Sequence, residues 1–168
     1  MATKKPKTIP YRRKREGKTN YTKRLKLLLS KKPRLVVRLT NTQVIAQLIE
    51  FSSEGDKVLV SVDSSTLKNM GWNHSFKNRS AAYLAGLLLG KKAVEKKLEG
   101  AVLDTGFKLL MKKGKLTAFL KGVIDSGFTV PYGSEEIFPD EETIAGKHII
   151  NQEKITEEFN QVKAKIMG

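Results

Sequence analysis

The sequence predicts an α/β fold: a small mixed sheet begun by an antiparallel three-strand meander, with packed helices, a basic N-terminal arm and a C-terminal helical extension. Three features predict it. Three strand-length, β-branched runs follow one another between residues 34 and 62, the apolar period then switches to that of helices, and 14 of the 32 Lys and Arg fall in the first 34 residues beside a single acid, Glu16. A chain of 168 residues has apolar residues for one core, so residues 1–20 read as an extended arm, 21–133 as the α/β domain and 134–168 as an acidic loop with a last helix.

The arm has no hydrophobic periodicity, and its like charges repel one another unless a polyanion neutralises them. Order is expected from Asn20, which can cap a helix from Tyr21 to about Ser30 with Tyr21, Leu25 and Leu28 on its packed face. The runs 34–40 and 44–51 are joined by the short turn Asn41-Thr42-Gln43 and so predict a hairpin. A third strand, 58–62, follows the polar turn 52–57. Ala81, Leu84, Ala85 and Leu88 then mark a helix from about Ser80 to Glu99, ended at Gly100, with Gly86 and Gly90 inside it where close packing on the sheet is the expected reason. Residues 101–104 predict a short strand parallel to the third one. Leu116, Phe119, Leu120, Val123 and Ile124 give a helix over 115–126, with Gly127 at the position of a left-handed cap. After an acidic loop, Ile155, Phe159, Val162 and Ile166 form the stripe of a last helix from about Gln152, facing either the domain's own sheet or a partner.

Several chemistries are excluded by residue type. Without cysteine there is neither a disulfide framework nor a thiolate metal site, and His74 and His148 alone make no metal cluster; no cofactor or metal is expected. No apolar run of membrane-spanning length and no leader-like apolar segment occur, so a cytoplasmic protein without membrane or small-molecule partners is expected. Gly17-Lys18-Thr19 resembles the end of a phosphate-binding loop, but Arg12 stands where the first glycine of that loop belongs and no apolar strand precedes it.

The net charge of +15 and its placement point instead to a nucleic-acid backbone. Lys14, Lys18 and Lys23 supply point charge, whereas Arg12, Arg13, Arg15 and Arg24 can fork onto phosphates or stack on unpaired bases. Tyr11 is the better candidate for base stacking; Tyr21 is either a stacker or a core aromatic on its helix face. Thr19 and Asn20 are phosphate donors or helix caps. A second set, Trp72, His74, Lys77 and Arg79, mixes aromatics with cations as RNA-binding loops do, with Trp72 and Phe76 equally readable as core lids. Lys112 and Lys113, with Lys108 and Lys115, form a third patch or a plain solvated loop. Two alternatives stand beside RNA binding: a metal-dependent RNA-processing nuclease, if Asp63 and Asp104 meet at the sheet's C-terminal edge, and an unselective polyanion binder.

The stretch from Arg12 to Glu50, "RRKREGKTNYTKRLKLLLSKKPRLVVRLTNTQVIAQLIE", resembles the N-terminal region of the large-subunit ribosomal protein family that binds 5S rRNA in archaea and eukaryotes (L-eighteen, or L-five in eukaryotes). "AAYLAGLLLGKKA" (81–93), "VLDTGF" (102–107), "LKGVIDSGFTVPYG" (120–133) and "GKHI" (146–149) are similar to that family's later blocks, in order. The resemblance implies a non-enzymatic protein whose partners are 5S rRNA, 23S-type rRNA and neighbouring large-subunit proteins in the central protuberance of a cytoplasmic ribosome. It weakens at Phe107–Gly114, where the family has a loop richer in Arg and Thr, and partners recruited by eukaryotic C-terminal extensions are not implied.

Overall fold

The computed structural model describes residues 8–148 and 152–168; the first seven residues of the basic arm lie outside the described residues. The arm's described part contains one helical turn, α1 (Arg12–Arg15), where extended chain is expected, and α2 (Tyr21–Leu28) follows. Asn20 caps α2 by accepting a hydrogen bond from the Lys23 N–H at 3.0 Å. The packed face expected of α2 does not form: none of its residues is fully buried and Leu25 is 61% exposed, because the helix lies across the rim of the sheet instead of over a core.

Strands β1 (Arg34–Leu39), β2 (Val44–Glu50) and β3 (Lys57–Asp63) form the antiparallel meander, and β4 (Val102–Asp104) completes a sheet of order β3-β2-β1-β4. The parallel partner of β4 is β1, not the third strand. The crossover through α3 (Arg79–Glu95) therefore passes over two strands, to the free edge that the meander leaves beside β1. Alternation sorts the two faces: Leu35, Val37, Val44, Ala46, Leu48, Val60 and Val62 enter the core, while Arg34, Val36 and Arg38 belong to the outer face.

Helix α3 is buried continuously from Ser80 to Gly90, enclosed by the sheet, by α4 (Lys115–Asp125), by the 3-10 helix Ser64–Met70 and by α6 (Gln152–Met167). Burial on all sides explains why its sequence is apolar all round. It stops four residues short of the expected end at Glu99, with Lys97 in the left-handed region at φ 55°. The close packing expected of Gly86 and Gly90 is against α4 and its C-terminal end, not the sheet: a Cβ on Gly86 would land on the carbonyl oxygen of Phe119, one on Gly90 on the Ser126 side chain, and one on Gly122 of α4 on the carbonyl oxygen of Tyr83. The Tyr83 hydroxyl donates to Asp125 at 2.9 Å across the α3–α4 crossing. Burial first, then the hydrogen bond to Asp125, pushes its pKa up, so the phenol stays protonated.

The stripe of α6 is buried as expected, but against helices and not the sheet; Phe159 meets the Tyr83 ring at 5.7 Å. A short helix, α5 (Glu141–Ile144), precedes α6 and buries Ile144 in the same core. Among the described residues no helix is long and apolar enough to cross a membrane.

Candidate nucleic-acid interface

The arm is organised by a reversal at Gly17, whose φ of 63° turns the chain back on α1. The N–H groups of Lys18 and Thr19 both donate to the Arg13 carbonyl, at 2.9 and 3.2 Å, and Arg13 Nε donates to Thr19 Oγ1 at 2.9 Å. Thr19 and Asn20 are thus occupied within the fold, Thr19 by the arm and Asn20 by the helix it caps. Arg12 and Lys18 flank Glu16 at 3.8 and 2.9 Å, all three at or near the surface where such pairs are worth little and yield readily to a phosphate. Lys14 and Arg15 are exposed beside them. Tyr11 is 74% exposed and stands against Tyr21 at 5.4 Å between ring centroids, so its outer surface is open for a base.

Beneath the arm lies the outer face of the sheet. Lys23 Nζ donates to Thr105 Oγ1 and to the Gly106 carbonyl, both at 3.0 Å, pinning α2 over the end of β4. Arg24 Nη2 donates to both oxygens of Asp56 at 3.0 and 2.9 Å, so one end of this guanidinium, expected to reach RNA, is held by the protein. Arg34, buried, bridges Asp56 at 2.7 Å and Asp104 at 3.2 Å; Arg38 reaches Asp104 at 3.3 Å and remains partly open to solvent. These side chains line a basin of about 300 Å³ in which Arg13, Lys18, Lys23, Arg24, Arg34 and Arg38 face two carboxylates, Asp56 and Asp104. The surplus of positive charge makes the basin attractive to phosphate. Arg38 was not among the residues singled out from the sequence, although Arg34-x-Val36-x-Arg38 on a strand whose intervening residues are apolar places both arginines on the non-core face.

The second predicted set divides. Trp72 is fully buried and its indole N–H donates to the Ser75 carbonyl at 3.2 Å; it is a core lid and cannot stack on a base. His74 packs edge-on against Trp72 at 5.3 Å and faces Glu158 of α6 at 3.4 Å, which turns it toward the C-terminal helix. Phe76 packs against the core. Lys77 and Arg79 instead join the third set, with Lys108, Lys112, Lys113 and Lys115, around a separate groove of about 1020 Å³. Burial, followed by crowding from Lys77, Arg79 and Lys108, lowers the pKa of Lys115. Lys112 and Lys113 are engaged by the acidic segment, Lys112 with Glu136 at 3.6 Å and Lys113 with Asp140 at 3.1 Å.

The carboxylates required by the nuclease alternative do not meet. Asp63 ends β3 and Asp104 ends β4, the two opposite edges of the sheet, about 14 Å apart at ordinary strand spacing. Asp63 is occupied by Gln43 at 2.7 Å and by the Ser65 N–H at 2.9 Å, Asp104 by Arg34 and Arg38. Among the described residues no three His, Asp or Glu side chains cluster as a metal site.

The sequence model of the ribosomal large subunit proteins 60S L5 and 50S L18 matches residues 6–100, which span the described arm, α2, the antiparallel meander and α3. Both the arm and most of the basin beneath it fall inside that match. The chain belongs to this family of large-subunit ribosomal proteins, structural constituents of the ribosome that work among rRNA and other ribosomal proteins.

Proposed function

We propose that the protein binds 5S rRNA through its arm, α2 and the outer face of the sheet, and anchors that RNA to 23S-type rRNA and neighbouring proteins in the central protuberance of a cytoplasmic ribosome. Its role is scaffolding, not catalysis. The observation that carries the reading is the convergence of the exposed Arg13, Lys18 and Arg38, beside Lys23 and the buried Arg34, on one basin at the face opposite the core, with Tyr11, Arg12, Lys14 and Arg15 exposed on the adjoining arm. Residues 1–20 act as the recognition arm, 21–133 as the platform and 134–168 as a brace behind it. Phosphates release counterions as they enter the basin, and arginine forks with the Tyr11 ring take irregular, unpaired elements of the RNA. A rigid platform under a short arm favours one RNA shape over others, which distinguishes this reading from unselective polyanion binding.

Filter binding across a salt series, on 5S RNA and on a length-matched scrambled RNA, tests it. The combined Arg12→Ala, Arg13→Ala, Arg15→Ala and Lys18→Ala variant is expected to bind 5S RNA about a hundred-fold more weakly near 0.1 M salt and to lose about three units of salt slope. Equal affinity of the unmodified protein for both RNAs would leave only the polyanion reading.

A further inference from the structure

The groove past the C-terminal ends of β1 and β4 has a composition unlike the arm's basin. Six of its lining residues are Lys or Arg and none is Asp or Glu, yet its wall is largely aliphatic: Leu39, Leu109, Met111 and Leu116 outnumber the two rings, Phe107 and His148. Leu109 is 84% exposed and Met111 72%. Aliphatic side chains offer an RNA base neither a π-face nor a hydrogen bond, whereas exposed apolar surface ringed by charge is characteristic of a protein contact. We propose that this groove docks an acidic, amphipathic peptide segment of a neighbouring protein, its apolar side chains against Leu109 and Met111 and its carboxylates on Lys77, Arg79 and Lys115.

The chain already holds such a segment on the same loop. The Lys113 N–H donates to the Ile137 carbonyl at 2.8 Å, while Lys112 and Lys113 pair with Glu136 and Asp140, so an acidic stretch carrying Ile137 and Phe138 runs beside this lysine-rich turn. Lys77, Arg79 and Lys115 have no carboxylate within 4 Å among the described residues and present the same chemistry for a second segment. The protein's own first seven residues are no match, since Lys4, Lys5 and Lys7 carry the same sign as the groove. The 107–115 loop also lies outside the part of the chain matched by the family. The proposal therefore stands apart from the RNA-binding role of the arm.

Fluorescence anisotropy on the full chain tests it with a labelled helical peptide of about sixteen Leu and Glu residues patterned as an amphipathic helix. The peptide is expected to bind, and to bind about ten-fold more weakly to Leu109→Ser/Met111→Ser, to Lys77→Glu/Lys115→Glu, and when its Glu are replaced by Gln. The Leu109→Ser/Met111→Ser variant should keep its affinity for 5S RNA, which separates this proposal from the arm's. Absence of peptide binding, or equal binding by the variants, overturns it. Displacement of the peptide by a ten-uridine oligonucleotide also overturns it and assigns the groove to single-stranded RNA. A fall in thermal stability of Leu109→Ser/Met111→Ser without peptide binding assigns the groove to the chain's own residues.

Discussion

A single methyl group at residue 86 is expected to remove about 3 kcal/mol or more of the fold's stability, a large part of the 5–15 kcal/mol typical of a domain. Helix propensity alone predicts the opposite sign, since Gly→Ala in a helix interior gains about 1 kcal/mol. The added Cβ would fall on the Phe119 carbonyl oxygen, which is backbone and cannot rotate away. Relief requires α3 and α4 to separate. Separation opens the contact between Leu84, Leu87, Phe119, Leu120 and Val123, all of them buried, and voids there cost both transfer energy and dispersion. Gly122→Ala should behave alike, because its Cβ would fall on the Tyr83 carbonyl, whereas Gly133→Ala, with open space around it, should change little. Urea unfolding followed by circular dichroism measures all three. A Gly86→Ala chain as stable as the unmodified protein would mean that the two helices do not approach this closely.

What could be read in the sequence follows from how local each cause is. The charged residues of α4, Lys115, Lys121 and Asp125, fall on one side of the helix, so its period and the cap at Gly127, with φ 88°, were both legible. Helix α3 was legible as a helix, but its end was not: Gly100 looked like the stop, whereas the chain breaks at Lys97 to bring Ala101 to the Thr129 carbonyl. A three-residue strand such as β4 carries no pattern that selects its neighbour, so placing it beside β3 instead of β1 was an error that local reasoning could not detect. Trp72 shows the limit of composition, since aromatics among cations mark both RNA loops and the lids of cores, and only its burial decides. Leu25 shows the limit of periodicity, which names the face that is apolar and not whether anything covers it. The basin needs Arg34 to meet Asp56 and Asp104, 22 and 70 residues away, contacts set by sheet order alone.

Asp104→Ala is expected to cost about 3–5 kcal/mol, because it strips one carboxylate from a buried guanidinium. Asp104 accepts from Arg34 at 3.2 Å, from Arg38 at 3.3 Å and from the Gly106 N–H at 2.8 Å, and both it and Arg34 are nearly sealed from water. Without Asp104, Arg34 keeps only Asp56, which it shares with Arg24. Asp104→Asn preserves an acceptor for Gly106 but not the charge and should fall between. Asp63→Ala, by contrast, removes a partly exposed residue bound to Gln43 and to the Ser65 N–H, a loss nearer 1 kcal/mol. The double replacement Arg34→Leu/Asp104→Leu removes both buried charges together and should be more stable than Asp104→Ala, as buried pairs replaced by apolar residues often are. Its affinity for 5S RNA should stay close to that of the unmodified protein, since one cation and one carboxylate leave the basin together and Arg34, 5% exposed between two carboxylates, is closed to phosphate. Urea midpoints and filter binding on the same variants therefore separate folding from RNA binding in this network. Stability restored with RNA affinity undiminished would show that Arg34 serves the fold alone, and that phosphate is drawn to the basin by Arg13, Lys18 and Arg38 without it; a stable variant with weakened RNA binding would show the reverse.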